Sequence, residues 1–261
     1  MKSTEFTPCE LSSAPGQFSC FHAKCTASTM SDARRLCALS QRGVVYADEQ
    51  TGGRGRLEGR KWDCTSGEGL LATFWFPASD FGTRPAPILA GLAVLDALKA
   101  LLPEASLCAK KPLLKWPNDI LIEGQKTAGI LCETALSSVL VGIGVNLTQK
   151  TFPTEYKTPP TSLLQTYGVR LPREGLLAAL VRAFGRCLQE SFPWREEAEA
   201  NLAYRGLTVR FKRGIGENEL VRGKLAGLTE QGYLILETDA GLCVEPSGEL
   251  CAAEGLTQRF L

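Results

Sequence analysis

An α+β domain followed by a small all-β barrel is the architecture this sequence predicts, and three observations carry that prediction. Up to about Tyr204, runs rich in branched and aromatic residues alternate with stretches whose apolar positions recur at helical spacing. Beyond Tyr204-Arg205-Gly206 the helical period disappears. The runs L-T-V-R-F, L-V-R-G-K-L-A-G-L, Y-L-I-L-E-T and L-C-V-E-P follow, divided by turn-forming G-E-N, T-E-Q-G, D-A-G and S-G-E. The length, 261 residues, accommodates one large domain and one small one. The boundaries are drawn at 1–204, of which 1–17 form a loose arm, and at 205–261.

Taken in order, Phe18 to Lys24 reads as a strand, and Ser31 stands where it can cap a helix with Asp32 in its first turn and Ala33, Leu36 and Cys37 on one face. Ser28 and Thr29 then fall at a strand-to-helix turn, where their hydroxyls either meet a small ligand or only lead into the cap. Val44 to Ala47 is a strand running into Asp48, Glu49 and Gln50, and G-L-L-A-T-F-W-F from Gly69 is a buried strand ended by Pro77. Apolar residues at 88, 92, 95, 98 and 102 make a core helix with Asp96 and Lys99 off the stripe. Leu113 to Lys115 is a short strand, and W-P-N-D is a turn presenting Asn118 and Asp119. Ile120 to Ile122 and Lys126 to Thr134 pair as a hairpin across E-G-Q, with Ser138 to Leu147 as the next strand, so an antiparallel sheet is expected. Leu176 to Leu188, entered through Pro172, is a second core helix, and Trp194 to Ala203 a shorter one.

Two positions in that sheet have competing readings. Lys126 opens a hairpin strand, where a solvated edge charge is the ordinary assignment. Gly142 and Gly144 in V-G-I-G-V-N share one face at period two, so either a ligand or a neighbouring backbone packs closely there.

Composition excludes several function classes. Lys and Arg total 29 against 28 Asp and Glu, a formal charge of +1, which gives no global attraction to nucleic acid or anionic membrane. Ten cysteines are scattered singly from Cys9 to Cys251 with no C-x-x-C, as expected of reduced thiols rather than a disulfide framework or a structural zinc. The sole histidine, His22, excludes multi-histidine metal centres and any triad that needs a second one. The opening M-K-S-T-E-F-T-P-C-E has no apolar targeting core, and no later run is apolar enough to span a bilayer, so a cytoplasmic protein is expected. Before Phe18 there is also no room for a helix-turn-helix domain.

The most distinctive stretch is T-G-G-R-G-R-L-E-G-R-K-W, Thr51 to Trp62. Four glycines let its backbone reach positive φ and approach a ligand, while Arg54, Arg56, Arg60 and Lys61 put four cations on the same loop. A G-x-G-x-x-G nucleotide motif fails on spacing and a P-loop is absent. A cationic, glycine-rich loop of this kind is suited to closing over an anion; a disordered Arg-Gly nucleic-acid contact and a plain solvated loop are its rivals.

Several blocks in order, A-S-T-M-S-D-A, E-Q-T-G-G-R-G-R-L-E-G-R-K-W, L-K-W-P-N-D-I, K-T-A-G-I-L-C-E, G-I-G-V-N, T-S-L-L and the terminal β region, resemble the biotin protein ligases (biotin–acetyl-CoA-carboxylase ligases) from about Phe18 onward. The resemblance implies a catalytic domain like that of class II aminoacyl-tRNA synthetases and a C-terminal SH3-like barrel. It implies a two-step reaction in which biotin and MgATP give biotinyl-5′-AMP, and a lysine of a biotin carboxyl carrier domain then takes the biotin. Carried onto this chain, biotin would be bound by Ser28, Thr29, Gln50, Gly53, Arg54, Gly55, Arg56 and Lys126. ATP and its Mg2+ would face Arg56, Trp62, Lys115, Asn118 and Asp119. Lys126 and Arg54 would offset the charge of a carboxylate attacking phosphorus, and Asp119 would accept the proton of the incoming amine. The type implied is monofunctional, without DNA or membrane partners and with homodimerisation left open. Rivals are a lipoate or octanoate ligase of the same fold and a non-enzymatic nucleic-acid-binding protein. Two departures stand out: Leu57-Glu58 fills the slot of one residue in the usual loop, and Met30 replaces a residue that is often polar.

Overall fold

In β8 (Ser138–Asn146) the side chains alternate between two environments, and the rest of the large domain follows from that alternation. Val139, Val141, Ile143 and Val145 enter the main core, while Leu140, Gly142, Gly144 and Asn146 face the other way. The computed structural model describes residues 4–9, 18–152, 156–214 and 219–253. The strand lies within an eight-stranded sheet ordered β1-β2-β3-β4-β8-β7-β6-β5. The other members are β1 (Thr7–Pro8), β2 (Ser19–Thr26), β3 (Gly43–Gln50), β4 (Gly69–Pro77), β5 (Leu113–Lys115), β6 (Asp119–Ile122) and β7 (Gln125–Ala135).

The sheet is mixed rather than antiparallel throughout. β2 and β3 run parallel, with Ser19 opposite Gly43, because α1 (Thr29–Leu36) carries the chain across between them. That helix starts earlier than a Ser31 cap would allow. Ser28 holds the N-cap position and makes no side-chain cap bond, while the Thr29 N–H donates to Gln50 Oε1 at 2.8 Å. A tertiary acceptor on β3 thus takes the place of a local cap. Of the expected loose arm, residues 7 and 8 add a short antiparallel strand to the edge, with Thr7 opposite His22; residues 1–3 and 10–17 lie outside the described residues.

One face of this sheet is packed by α2 (Ala86–Leu101) and α5 (Arg173–Cys187), with ten of the sixteen α2 residues buried. Phe184 of α5 sits 5.2 Å from the Phe74 ring and 4.8 Å from that of Phe76. Of the helices described, the short α1 covers the other face, where Met30, Ala33, Leu36 and Cys37 meet Val45, Trp75 and Leu140. The β6–β7 connection is a tight hairpin with Glu123 and Gly124 both at positive φ. Three further short helices, α3 (Glu104–Ala109), α4 (Leu163–Tyr167) and α6 (Trp194–Ala200), connect the rest; the sequence indicated only the last.

The C-terminal region is a second, five-stranded antiparallel sheet in the order β12-β11-β10-β9-β13. Its strands are β9 (Thr208–Arg213), β10 (Leu220–Leu228), β11 (Leu234–Thr238), β12 (Gly241–Glu245) and β13 (Gly248–Ala253). The last of these begins at the S-G-E expected only to divide strands. It pairs with β9, placing Glu249 opposite Lys212. The two sheets share one apolar core: Phe211 and Leu250 belong to the same cluster as Phe74 and Leu114. Trp116 packs 5.8 Å from the Phe211 ring and donates Nε1–H to Gly232 O at 2.9 Å. All ten cysteines are free thiols. Among the described residues no helix is long and apolar enough to cross a membrane.

Candidate functional site

Where α1 stops covering its face of the sheet, small residues leave a cavity of about 550 Å³. Its floor is Thr73 of β4, Gly142 and Gly144 of β8 and Gly129 of β7. A Cβ on Gly144 would stand 2.3 Å from the Trp62 ring, and one on Gly142 2.9 Å from Met30 Cε. An indole and a thioether thus lie against those glycines, which at the same time line the cavity.

One wall comes from the start of α1 and the end of β3. Gln50 Oε1 accepts from the Thr29 hydroxyl at 3.0 Å as well as from its N–H, and the Thr29 and Thr73 hydroxyls are 2.9 Å apart. Ser28 lines the same wall with a hydroxyl that no helix cap consumes. This end is rich in hydroxyls and amides.

The opposite wall is ionic. Lys126 Nζ pairs with Asp119 Oδ1 at 2.6 Å and lies 5.5 Å from the Trp62 ring centroid. At Lys126 the backbone pairs with Leu121 of β6 on one side and is bridged to Pro160 on the other, so the edge-charge reading of Lys126 is excluded. Lys115 is buried and donates to Thr158 Oγ1 at 3.0 Å; burial lowers its pKa, only partly opposed by Asp119. The Asn118 amide donates to Ile130 O at 2.7 Å, which fixes the turn that presents Asp119.

The glycine-rich loop forms the roof as a short hairpin. Arg54 and Lys61 make an antiparallel bridge, Gly55 N donates to Arg60 O at 2.8 Å, and Trp62 N donates to Gly53 O at 3.2 Å. Leu57 and Glu58 sit at the tip, where Gly59 turns the chain at φ 78°, so the longer loop is absorbed in a hairpin turn. Arg56 reaches the second sheet, donating to Gly248 O at 2.7 Å, and burial lowers its pKa despite the opposing pull of Asp119.

Eleven of the twelve residues expected from the sequence line this cavity: Ser28, Thr29, Gln50, Arg54, Gly55, Arg56, Trp62, Lys115, Asn118, Asp119 and Lys126. Gly53 does not; it is buried against the Trp62 carbonyl, 2.5 Å from where its Cβ would stand, so it is a packing glycine. Arg54 is at the rim, its guanidinium 3.4 Å from Glu133, which also holds Arg34 at 2.7 Å. A β7 carboxylate on the same face as Gly129 and Leu131 turns it from the floor. Thr73, Lys157 and Glu249, which no sequence motif marked, also line the cavity, as does Asn146 at the end of G-I-G-V-N. Glu249 lies 189 residues from its partner Arg60.

With a hydroxyl-and-amide end, a glycine floor and seven Lys or Arg side chains in its lining, the cavity suits an elongated ligand with a neutral polar head, together with a polyanion. Among the described residues no group of three or more His, Cys, Asp or Glu could cage a metal. A divalent ion would be held by Asp119 together with the oxygens of the polyanion itself.

Comparison with known proteins gives the same picture from outside. Residues 21–149 match the Biotin/lipoate A/B protein ligase family and residues 206–252 the Biotin protein ligase C terminal domain. The biotin--[acetyl-CoA-carboxylase] ligase of Mycobacterium tuberculosis is 34% identical over 241 residues, 86% of this chain and 85% of that protein. The bifunctional ligase/repressor BirA of Bacillus spizizenii is 32% identical over 213 residues, 76% of this chain; the matched region spans 62% of the length of that relative. Among solved structures, the biotin protein ligase from Aquifex aeolicus in complex with biotin and ATP aligns with a TM-score of 0.76 at 29% identity, covering 88% of this chain and 97% of that one.

Proposed function

This chain belongs to the biotin/lipoate A/B protein ligase family, and we propose that it is a biotin protein ligase that activates biotin with MgATP and passes it to a lysine of a biotin carboxyl carrier domain. The observation that carries the reading is the polarity of the cavity. A hydroxyl-and-amide wall at Ser28, Thr29 and Gln50 stands across a glycine floor from Arg56, Lys115 and Lys126. A ureido ring offers both donors and acceptors and suits the first wall; a carboxylate and phosphates suit the second.

In the first step a biotin carboxylate oxygen forms a bond to the α-phosphorus, and pyrophosphate leaves with the electron pair of the broken P–O bond. The reacting groups are both anionic, so cations must hold them together and meet the charge on the phosphoryl oxygens. Lys126 and Arg56 are the side chains held in the cavity for this role, and Arg54 would join them only by leaving Glu133. Lys115, desolvated and hydrogen-bonded to the Thr158 hydroxyl, is suited to a phosphate oxygen. Mg2+ arriving with ATP would neutralise phosphate charge beside Asp119.

In the second step the carrier lysine nitrogen bonds to the acyl carbon, AMP leaves with the electron pair of the broken C–O bond, and one proton is released. Asp119, a carboxylate lining the site, can take that proton, provided the amine displaces Lys126 from it. The division of the chain at 204 and 205 belongs to the same proposal, with the second sheet as an SH3-like module and the first as a relative of the class II synthetase fold.

The test is ATP–pyrophosphate exchange measured in parallel with biotin, lipoate and octanoate. Exchange with biotin alone is expected. Faster exchange with lipoate or octanoate would reassign the substrate within the family, and no exchange with any of them would remove the activity.

A further inference from the structure

We propose that Glu249 of the second sheet is a positioning residue for the nucleotide half of the reaction, tying the glycine-arginine hairpin to the segment around Lys157 across the mouth of the cavity. This rests on the reading of that cavity as a biotin and ATP site.

The geometry is that of a two-handed anchor. Glu249 Oε1 takes Arg60 Nη2 at 2.6 Å and Oε2 takes Lys157 Nζ at 3.1 Å, so each oxygen holds a different cation from a different segment. One residue earlier, the Gly248 carbonyl accepts from Arg56 at 2.7 Å. All of Arg56, Arg60, Lys157 and Glu249 line the cavity. The Glu249 side chain is only 16% exposed, unlike the surface acids whose pairs are screened by water. Burial pushes its carboxyl up, but hydrogen bonds from Arg60 and Lys157 outweigh that and hold it below its ordinary value.

The anchor point is itself rigid. Gly248 has φ 149°, and a Cβ there would fall 2.3 Å from the Phe211 ring and 2.5 Å from Lys212 O, so the start of β13 lies flat on the shared core. Force on Glu249 is therefore resisted by the close packing of β13 on β9.

An acid in a cavity built for phosphates is costly unless it has a purpose, because it repels the ligand. Burial lowers the pKa of Arg56, and the neighbouring positive charge of Arg60 lowers it further. With the cavity empty, like-charged side chains of this kind would turn out to solvent. Glu249 offsets that repulsion and keeps Arg60 and Lys157 aimed across the mouth before ATP arrives, so ATP binding does not have to supply the ordering.

The experiment uses the full chain and compares Glu249→Gln, Glu249→Asp, Arg60→Gln and the double variant Arg60→Gln with Glu249→Gln. Biotin-dependent pyrophosphate exchange gives KM for ATP, and calorimetry gives biotin affinity without nucleotide. For Glu249→Gln, KM for ATP is expected to rise about tenfold, as for loss of a charge-assisted contact, with biotin affinity within twofold of the parent. Glu249→Asp is expected to recover most of the loss. The double variant is expected to be no worse than the more affected single one, since both remove the same tie. An unchanged KM for ATP in Glu249→Gln, or full additivity in the double variant, overturns the proposal. If Glu249→Gln melts early, Lys157→Gln and Arg60→Gln carry the same test from the other side. A parent that does not exchange with biotin at all would instead sink the reading of the site on which this one rests.

Discussion

The two faces of the eight-stranded sheet are made from the same strands and have opposite characters. Toward α2 and α5, β8 presents Val139, Val141, Ile143 and Val145, and β4 presents Phe74 and Phe76 against Phe184. Toward α1, the same two strands present Thr73, Gly142 and Gly144, and β7 adds Gly129. One face is filled to exclude water and the other is emptied to admit a ligand. Period two along a strand makes this possible, because a residue chosen for one face has no direct steric consequence on the other. Stability and ligand binding should therefore be separable by mutation, face by face.

The largest effect is expected on the packed face. Phe74 is fully buried and touches the Phe18, Phe76 and Phe184 rings. Phe74→Ala should cost about 3–5 kcal/mol and lower the melting temperature on the order of 10 °C. Exchange activity per folded molecule should be kept. Loss of activity at temperatures where the variant is still folded would show that the faces are coupled.

Next is the chemistry of the open face. Lys126→Ala removes the cation paired with Asp119 and should slow biotin-dependent pyrophosphate exchange by about 10²- to 10³-fold, while the thermal melt stays near that of the parent. A rate within threefold of the parent would reduce Lys126 to a structural ion pair.

A smaller change is expected at the roof. Arg56 donates to Gly248 O and so ties the hairpin to the second sheet. In Arg56→Gly the acyl adenylate should escape before transfer, labelling an unrelated lysine-rich protein several-fold more than the parent does. The readout is a biotin blot of that bystander; no labelling while pyrophosphate release continues would mean that the roof does not retain the intermediate.

The smallest effect belongs to the polar rim of the packed face. Burial raises the Asp48 carboxyl, but its hydrogen bond from His22 and the nearby Arg173 outweigh that and leave it below its ordinary value. Its contribution to stability is present above the unfolded carboxylate pKa of about 3.9 and is lost as pH falls through the lower folded value. The melting-temperature gap between parent and Asp48→Asn should be seen at pH 6 and shrink below about pH 4. A gap that grows on acidification would reverse the sign of the argument.

Much of this could be read directly from the chain. The alternation in V-G-I-G-V-N, the apolar run Gly69 to Phe76 and the helical stripe from Ile88 are local patterns, and the structure places β8, β4 and α2 within a residue or two of where they indicate. The clustering of cations and glycines from Thr51 to Trp62 was equally visible, because a loop that must approach an anion needs both in one short stretch. Local patterns failed wherever a distant partner competed. The start of α1 was misjudged because Gln50, which supplies an acceptor to Thr29, lies 21 residues further on. β1 and β13 were missed as strands because each exists only through pairing with β2 and β9.

The amino-acid sequence by itself determined which residues could do the chemistry: hydroxyls at 28 and 29, an amide at 50, cations at 56, 115 and 126, and glycines where a floor had to be bare. Side-chain chemistry and backbone freedom belong to a residue wherever it is placed. Only the tertiary structure decided their use. It turned Arg54 to Glu133, laid Trp62 on Gly129 and Gly144, packed Gly53 away from the cavity, and brought Glu249 from the far end of the chain to Arg60 and Lys157. These outcomes depend on how two sheets dock and which carboxylate reaches a cation first, and such long-range contacts leave no periodic trace in the sequence.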